Sequence, residues 1–187
     1  EAQTKTAEAK EDLDDAEEAK SDAWQAYDSA RSKVSSFQSE ADSAAAQQES
    51  ALSALNDAMA ATAEKQTAYN DAYGAWKTES DRQLAADYQP AAGDAETLAG
   101  LKSAMDNAQA QLDAANAAQS SAQAAYDQAS ALAQEKQKAL SDAQNTVGLT
   151  GLQTTYQQAQ AAYEQAQTAY DQAVKTQETA QETCNDA

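Results

Sequence analysis

Several kinds of residue are rare or missing from this chain of 187 residues, and each absence removes a class of structure. The sequence has no His and no Ile, and it has one Phe, one Pro, one Cys and three Val. Because β-strands need runs of β-branched and aromatic residues, a sheet-based fold is excluded. A single Cys excludes a disulfide framework within the chain. Only 6% of the residues are aromatic, which argues against a wide globular core.

Positive charge and long apolar runs are also scarce. The chain has 12 basic and 31 acidic residues, and its formal net charge is -19. This balance argues against binding to nucleic acid or to an anionic membrane surface. No run of about 18 apolar residues is present, so we expect no membrane insertion. The first residue is Glu1 and not Met, which suggests a processed protein or an excised segment.

Catalytic and ligand-binding signatures are missing too. We find no glycine-rich phosphate loop and no Cys/His spacing for a metal, so we predict a protein that is not an enzyme. We also predict no catalytic, cofactor-binding or metal-binding residues. An acidic cluster near the N-terminus lacks the glycine and the ligand order of a calcium loop, and we interpret it as a solvated helix face. Its members are Asp12, Asp14, Asp15, Glu17 and Glu18.

What the chain does contain is helix-forming sequence around a central break. By count, 50 residues are Ala and 25 are Gln, and both favour helices. Pro90 lacks an N–H and pushes Gln89 out of the helical region, while Gly93 favours a turn. Asp94 is placed to cap the next helix. We therefore predict an all-α fold: a long antiparallel α-helical hairpin of the coiled-coil type.

The predicted hairpin forms one elongated helical domain over residues 1–187. Its first arm runs from about 3 to 88, its tip covers 89–94, and its second arm runs from about 95 to 185. Gly148 can end a helix, and Thr150 with Gln153 resembles a capping box, so we expect a break at 148–151. The alternative is an elongated three-helix bundle, in which the last helix folds back and leaves the N-terminal third unpartnered.

Heptads mark the residues expected at the seam between the arms. In the first arm, one line holds Trp24, Arg31, Gln38, Ala45, Leu52, Met59, Gln66 and Tyr73, and the other holds Tyr27, Val34, Ala41, Gln48, Leu55, Thr62, Tyr69 and Trp76. In the second arm, large residues alternate with Ala, and the phase shifts by two residues at the break. We expect paired residue numbers to total 181 before the break and 183 after it. An arm would then extend for roughly 130 Å.

Some apolar residues are candidates for contact with a partner. Leu84, Tyr88 and Pro90 lie at the predicted tip, where they either plug the hairpin end or contact a protein partner or host surface ligand. Phe37 and Val174 fall outside the predicted seams and are weaker candidates. Cys184 occupies a terminal seam position, where it is either a small core residue or an inter-chain disulfide. The oligomeric state is left open.

Short repeated motifs link the second arm to a known class of sequence. Ala125-Tyr126-Asp127-Gln128-Ala129 recurs as Ala162-Tyr163-Glu164-Gln165-Ala166 and as Ala169-Tyr170-Asp171-Gln172-Ala173. Such heptads resemble the alanine-rich helical stalks of Gram-positive wall-anchored surface proteins, of which the A-region of the streptococcal antigen I/II adhesins is an example. In that family the alanine-rich helix winds around a proline-rich helix, and this chain has a single Pro.

The resemblance implies an extracellular location at a bacterial cell wall. The function that we expect is a non-enzymatic structural stalk or spacer of a surface protein or adhesin. The alternative is a protein-binding coiled-coil interaction module.

Overall fold

A computed structural model of the protein describes residues 1–185. Over that range the chain is an all-α helical hairpin, as the composition predicts, and no strand is present. Its helices are α1 (Ala2–Leu84), α2 (Asp94–Val147) and α3 (Leu149–Asn185). The described residues divide into two compact units. The terminal unit joins Glu1–Glu40 to the chain from Gln137 onward, and the loop unit comprises Ala41–Lys136.

In the terminal unit, α3 packs antiparallel to the first part of α1. The Thr6 Oγ1 donates a hydrogen bond to the Ala173 carbonyl oxygen at 3.3 Å. Further along, the rings of Trp24 and Tyr156 lie 5.1 Å apart. The N-terminal third therefore has a partner, and the three-helix alternative is wrong.

In the loop unit, the second half of α1 pairs with α2. The Gln48 amide donates to Ser130 Oγ at 3.2 Å, and the Gln83 amide donates to the Asp94 carbonyl oxygen at 2.8 Å. The two residue numbers of each pair add up to 178 and 177, whereas the predicted alignment requires a sum of 181. The predicted alignment is therefore wrong by about one helical turn.

In the terminal unit, the predicted pairing of Tyr27 with Tyr156 is confirmed, because their rings stack at 6.3 Å. The ring of Trp24 also contacts that of Tyr156, whereas its predicted partner was Ala159, so individual pairs differ from the predicted alignment. What the heptads did not reveal was the absolute alignment of α1 and α2 within the loop unit.

The error in alignment follows from an error in one line of the α1 seam. The line from Tyr27 to Trp76 is confirmed, because each of its residues is buried or half-buried. The line from Trp24 to Tyr73 is wrong, because its residues are exposed. The true second line lies one residue earlier and holds Ala23, Ala30, Phe37, Ala44, Ala51, Ala58, Lys65 and Ala72.

Close approach of the helices explains why small residues take the seam. Six apolar residues among those described are buried to 3–7% exposure, and half of them are alanines: Ala30, Ala41, Ala44, Leu55, Leu112 and Leu140. An Ala side chain keeps two helix backbones close, and a large residue on the facing helix fills the remaining space. A larger side chain one position away then lies at the margin of the seam.

Phe37 and Val174 are both half-buried, and the placement of Phe37 outside the seam is wrong. Phe37 belongs to the true second line of the α1 seam. Cys184 shows the opposite error, because its thiol is free and exposed. Its predicted core position is wrong because α1 begins at Ala2 and offers no further turn to cover the end of α3.

The predicted break in the second arm is present and is confined to one residue. Gly148 has a φ of +60°, the left-handed conformation that ends a helix. The Leu152 N–H already donates to the Gly148 carbonyl oxygen at 3.1 Å. Val147 and Leu149 are both half-buried, so the seam shifts by two residues at this point. Thr150 lies inside α3 and does not cap it.

Candidate functional site

The candidate site is the connection between α1 and α2, residues 85–93, which we call the tip loop. It lies within the loop unit. Helix α1 ends at Leu84, four residues earlier than the heptads predict, and α2 begins at Asp94. Arg82 stands in the last turn of α1, where its charge interacts favourably with the helix dipole.

Turns and special residues shape the tip loop. The Tyr88 N–H donates to the Ala85 carbonyl oxygen at 3.0 Å, which closes a turn directly after α1. Pro90 prevents the helix from resuming, because it lacks an N–H and disfavours helical backbone at the residue before it. Gly93 has a φ of +93°, and its carbonyl oxygen accepts the first α2 hydrogen bond from Thr97. Gly93 therefore occupies the N-cap position that the sequence assigned to Asp94.

The Asp94 carboxylate instead ties the tip loop to both helices. Its Oδ2 accepts hydrogen bonds from the Tyr88 hydroxyl and from the Ala91 N–H, and its Oδ1 accepts one from Arg82 Nη2 at 2.7 Å. The Tyr88 hydroxyl, the Ala91 N–H and Arg82 together lower the pKa of Asp94 from its ordinary 3.8 to about 2. The carboxylate is thus held ionised by groups from α1 and from the loop.

Arg82 links the same network to α1. Its guanidinium donates to both carboxylate oxygens of Glu79, which with Gln83 lowers the pKa of Glu79. Its Cζ also lies 5.4 Å from the centre of the Tyr88 ring, within the range of a cation–π contact. The hydrogen bond to Asp94 raises the pKa of the Tyr88 hydroxyl.

The three predicted contact residues have different surroundings. Tyr88 is half-buried and belongs to the network around Asp94. Leu84 is 80% exposed, so the prediction that it plugs the hairpin end is wrong. Pro90 is also exposed. Tyr88 closes the tip through the hydrogen bond of its hydroxyl group. Leu84 and Pro90 are exposed to solvent.

Sequence reasoning missed Glu79, Arg82 and Gln83 as members of the tip network. One signal was available: Glu79 and Arg82 are three residues apart, which places them as neighbours on a helix surface. The bond from Arg82 to Asp94 spans 12 positions and depends on where α1 ends. That end was assigned to the wrong residue, so the pair could not be inferred.

The tyrosines of α3 and α2 take core positions. Tyr126, Tyr156, Tyr163 and Tyr170 are all half-buried, which favours packing over a binding strip. The rings of Tyr27 and Tyr156 stack at 6.3 Å with an angle of 5° between their planes.

Among residues 1–185, no group of three His, Cys, Asp or Glu side chains is arranged to hold a metal ion. Over the same range, each helix is too polar to cross a lipid bilayer.

Comparison with known proteins adds no assignment. No family model matches the chain, and neither a curated protein nor a solved structure matches it. Function must therefore be argued from the residues themselves.

Proposed function

We propose that this chain is a non-enzymatic structural stalk or spacer of an extracellular surface protein or adhesin. One observation carries the proposal: each unit is built from paired helices with an alanine-lined seam. Among the residues described, none has a side chain that is completely buried, and none of the polar ones is buried. An enzyme needs positioned groups in a pocket that excludes water, and this construction favours a structural role.

Composition supports the same proposal. The net charge of -19 keeps an exposed helical surface soluble and disfavours non-specific aggregation. The Tyr-Asp-Gln-Ala and Tyr-Glu-Gln-Ala heptads resemble wall-anchored stalks, and from this resemblance we propose a location at the cell wall of a Gram-positive bacterium. Antibody labelling of intact and permeabilised source cells tests the location. Labelling that requires permeabilisation would contradict it.

A reach assay tests the spacer function. The exposed Cys184 is the only thiol in the sequence, so maleimide chemistry attaches the chain to a bead at one defined site. A short epitope inserted after Pro90 reports whether an antibody reaches the tip loop through polymer brushes of graded thickness. One variant lacks one heptad of α1 and the facing heptad of α2. The minimum brush thickness that blocks the antibody should be about 10 Å smaller for this variant than for the parent chain.

The matched control replaces the exposed residues Ser53 and Ala60 without changing helix length. A spacer predicts that this variant reaches as far as the parent chain. If matched deletions leave the limiting thickness unchanged while melting remains cooperative, the chain is not acting as a spacer.

A second function, a protein-binding coiled-coil module, is favoured by the exposure of Leu84 at the end of α1 and of Pro90 in the tip loop. Apolar side chains next to a turn are suited to contact a protein partner. Leu84→Ser should weaken capture of such a partner at least tenfold and should leave the melting temperature within about 1–2 °C. Ser53→Ala is the control on an exposed position of α1. Unchanged capture by Leu84→Ser would remove the tip loop as a contact.

A further inference from the structure

Three large apolar side chains of the loop unit lie in one exposed line on α1. Leu52, Met59 and Tyr73 are 41–50% exposed, and they are separated by whole heptads. Gln66 completes the line, and its amide donates to Asn70 Oδ1 at 3.0 Å. We call these four residues the outer stripe. They are the residues that the heptad pattern assigned to the seam.

The outer stripe is uncharged within a strongly acidic chain. Between residues 50 and 76, three acidic residues of α1 repeat at heptad spacing: Asp57, Glu64 and Asp71. Each stands five positions after a residue of the stripe, so their line lies roughly 140° around the helix from it. Lys65 takes a half-buried seam position. The flanking positions Asn56, Ala63 and Asn70 carry no charge, and the charged residues of that line, Glu49 and Lys77, stand at the two ends of the stripe.

This charge distribution decides which partner the stripe fits. With a net charge of -19, two copies of the chain repel each other over most of their surfaces. They can approach closely only where no charge faces outward. A cationic partner would instead be drawn to the acidic lines and would gain nothing from a neutral face. The stripe therefore favours a second copy of this chain.

The spacing within the stripe is self-complementary. If a second copy lies antiparallel, the midpoint between Met59 and Gln66 is also the midpoint between Leu52 and Tyr73. Each Leu52 then faces Tyr73 of the other copy, and each Met59 faces the other Gln66. A two-fold arrangement of this kind is the commonest one among oligomers.

We infer that the outer stripe is a self-association surface, on which two copies of the chain pair antiparallel through Leu52, Met59, Gln66 and Tyr73. A strip about 30 Å long and 10 Å wide covers less than half of the roughly 800 Å² per partner that stable complexes bury. The pairing is therefore weak and depends on protein concentration. It is independent of the spacer function.

Sedimentation equilibrium of the full chain tests the inference. The weight-average mass should rise with concentration towards twice that of the monomer. It should rise further in 0.5 M NaCl, because salt screens the repulsion between acidic copies. Association that weakens in salt would indicate an electrostatic mode and would overturn the proposal. So would a mass that stays monomeric up to millimolar concentration.

Charge substitutions test the geometry. Met59→Glu should raise the dissociation constant at least tenfold, while Ser53→Glu, on an exposed position outside the stripe, should leave it within twofold. The double variant Met59→Glu/Gln66→Lys should recover association, because Glu and Lys then face each other twice across the antiparallel pair. A parallel pair would set Lys against Lys and gain no recovery, so failure to recover overturns the alignment. Circular dichroism melts confirm that each variant is folded.

Discussion

The Tyr88 hydroxyl donates a hydrogen bond to Asp94 Oδ2, and this contact fastens the tip loop to the first residue of α2. The Ala91 N–H and Arg82 bind the same carboxylate. A loop that contains one Pro and one Gly thus obtains its shape from a polar network. The exposed apolar side chain beside it, Leu84, takes no share in closing the tip.

This network predicts a pH dependence. The pKa of Asp94 lies at about 2 in the folded chain, below its ordinary 3.8. Its contribution to stability is therefore fully present above about pH 4 and is lost as the pH falls towards 2. Asp94→Asn should melt roughly 2–4 °C below the parent chain at pH 6, and the gap should close at pH 2.

Asp87→Asn serves as the control, because Asp87 is an exposed aspartate of the same loop. Its melting temperature should follow that of the parent chain at both pH values. A gap between the Asp94 variant and the parent that persists at pH 2 would show that the carboxylate charge is not what fastens the loop.

Two leucines three residues apart test which side of α1 faces α2. Leu55 is 6% exposed and Leu52 is 41% exposed. Leu55→Ala should lower the free energy of unfolding by about 2–4 kcal/mol, as expected for a buried Leu. Leu52→Ala should cost less than about 1 kcal/mol. Urea unfolding measures both, and equal losses would mean that Leu52 also lies in the seam.

The glycine at the break gives a prediction for the terminal unit. Gly148 has a φ of +60°, and a Cβ added there would meet no neighbouring atom. Gly148→Ala should therefore lower the free energy of unfolding by about 1 kcal/mol, because of backbone strain alone. Gly151 lies within α3, and Gly151→Ala should raise the free energy of unfolding by about 0.5–1 kcal/mol. Thermal melts of the two variants should therefore shift in opposite directions. Two upward shifts would contradict a left-handed break.

Tryptophan emission reports the packing of α3 on α1. The ring of Trp24 lies 5.1 Å from that of Tyr156 and 6.0 Å from that of Tyr27. In a Trp76→Phe background, Tyr156→Ala should shift Trp24 emission to longer wavelength, because one side of the indole becomes hydrated. Tyr170→Ala, further along α3, is the control. Equal shifts in both variants would indicate general loosening and not a direct contact.

The composition was enough to predict helices, because Ala and Gln favour them and β-branched and aromatic residues form no long runs. Pro90 and Gly148 marked the two interruptions through local backbone chemistry, which depends on few neighbours. The seam of α2 and α3 was also readable, because large residues at one position stand out against Ala at the other. Among the predicted seam positions of α2 and α3, only Ala180 and Cys184, at the end of α3, are exposed.

The seam of α1 was misread for a physical reason. Heptad analysis favours large apolar residues, and the line from Trp24 to Tyr73 contains more of them than the line from Ala23 to Ala72. How closely two backbones approach is a property of the pair, and a single helix sequence does not contain it. The tip network was missed for a similar reason, since the bond from Arg82 to Asp94 depends on where α1 ends.

The central claim is that one of the two seam lines of α1 consists mainly of alanines, one position before the exposed line from Trp24 to Tyr73. Ala44 is 3% exposed, and its neighbour Ala45 is exposed. The most direct test introduces the same substitution at both positions and measures the free energy of unfolding in urea. Ala44→Leu should cost about 1–3 kcal/mol through overpacking, and Ala45→Leu should change stability by less than about 0.5 kcal/mol. A large loss at Ala45 with little change at Ala44 would contradict the alanine seam.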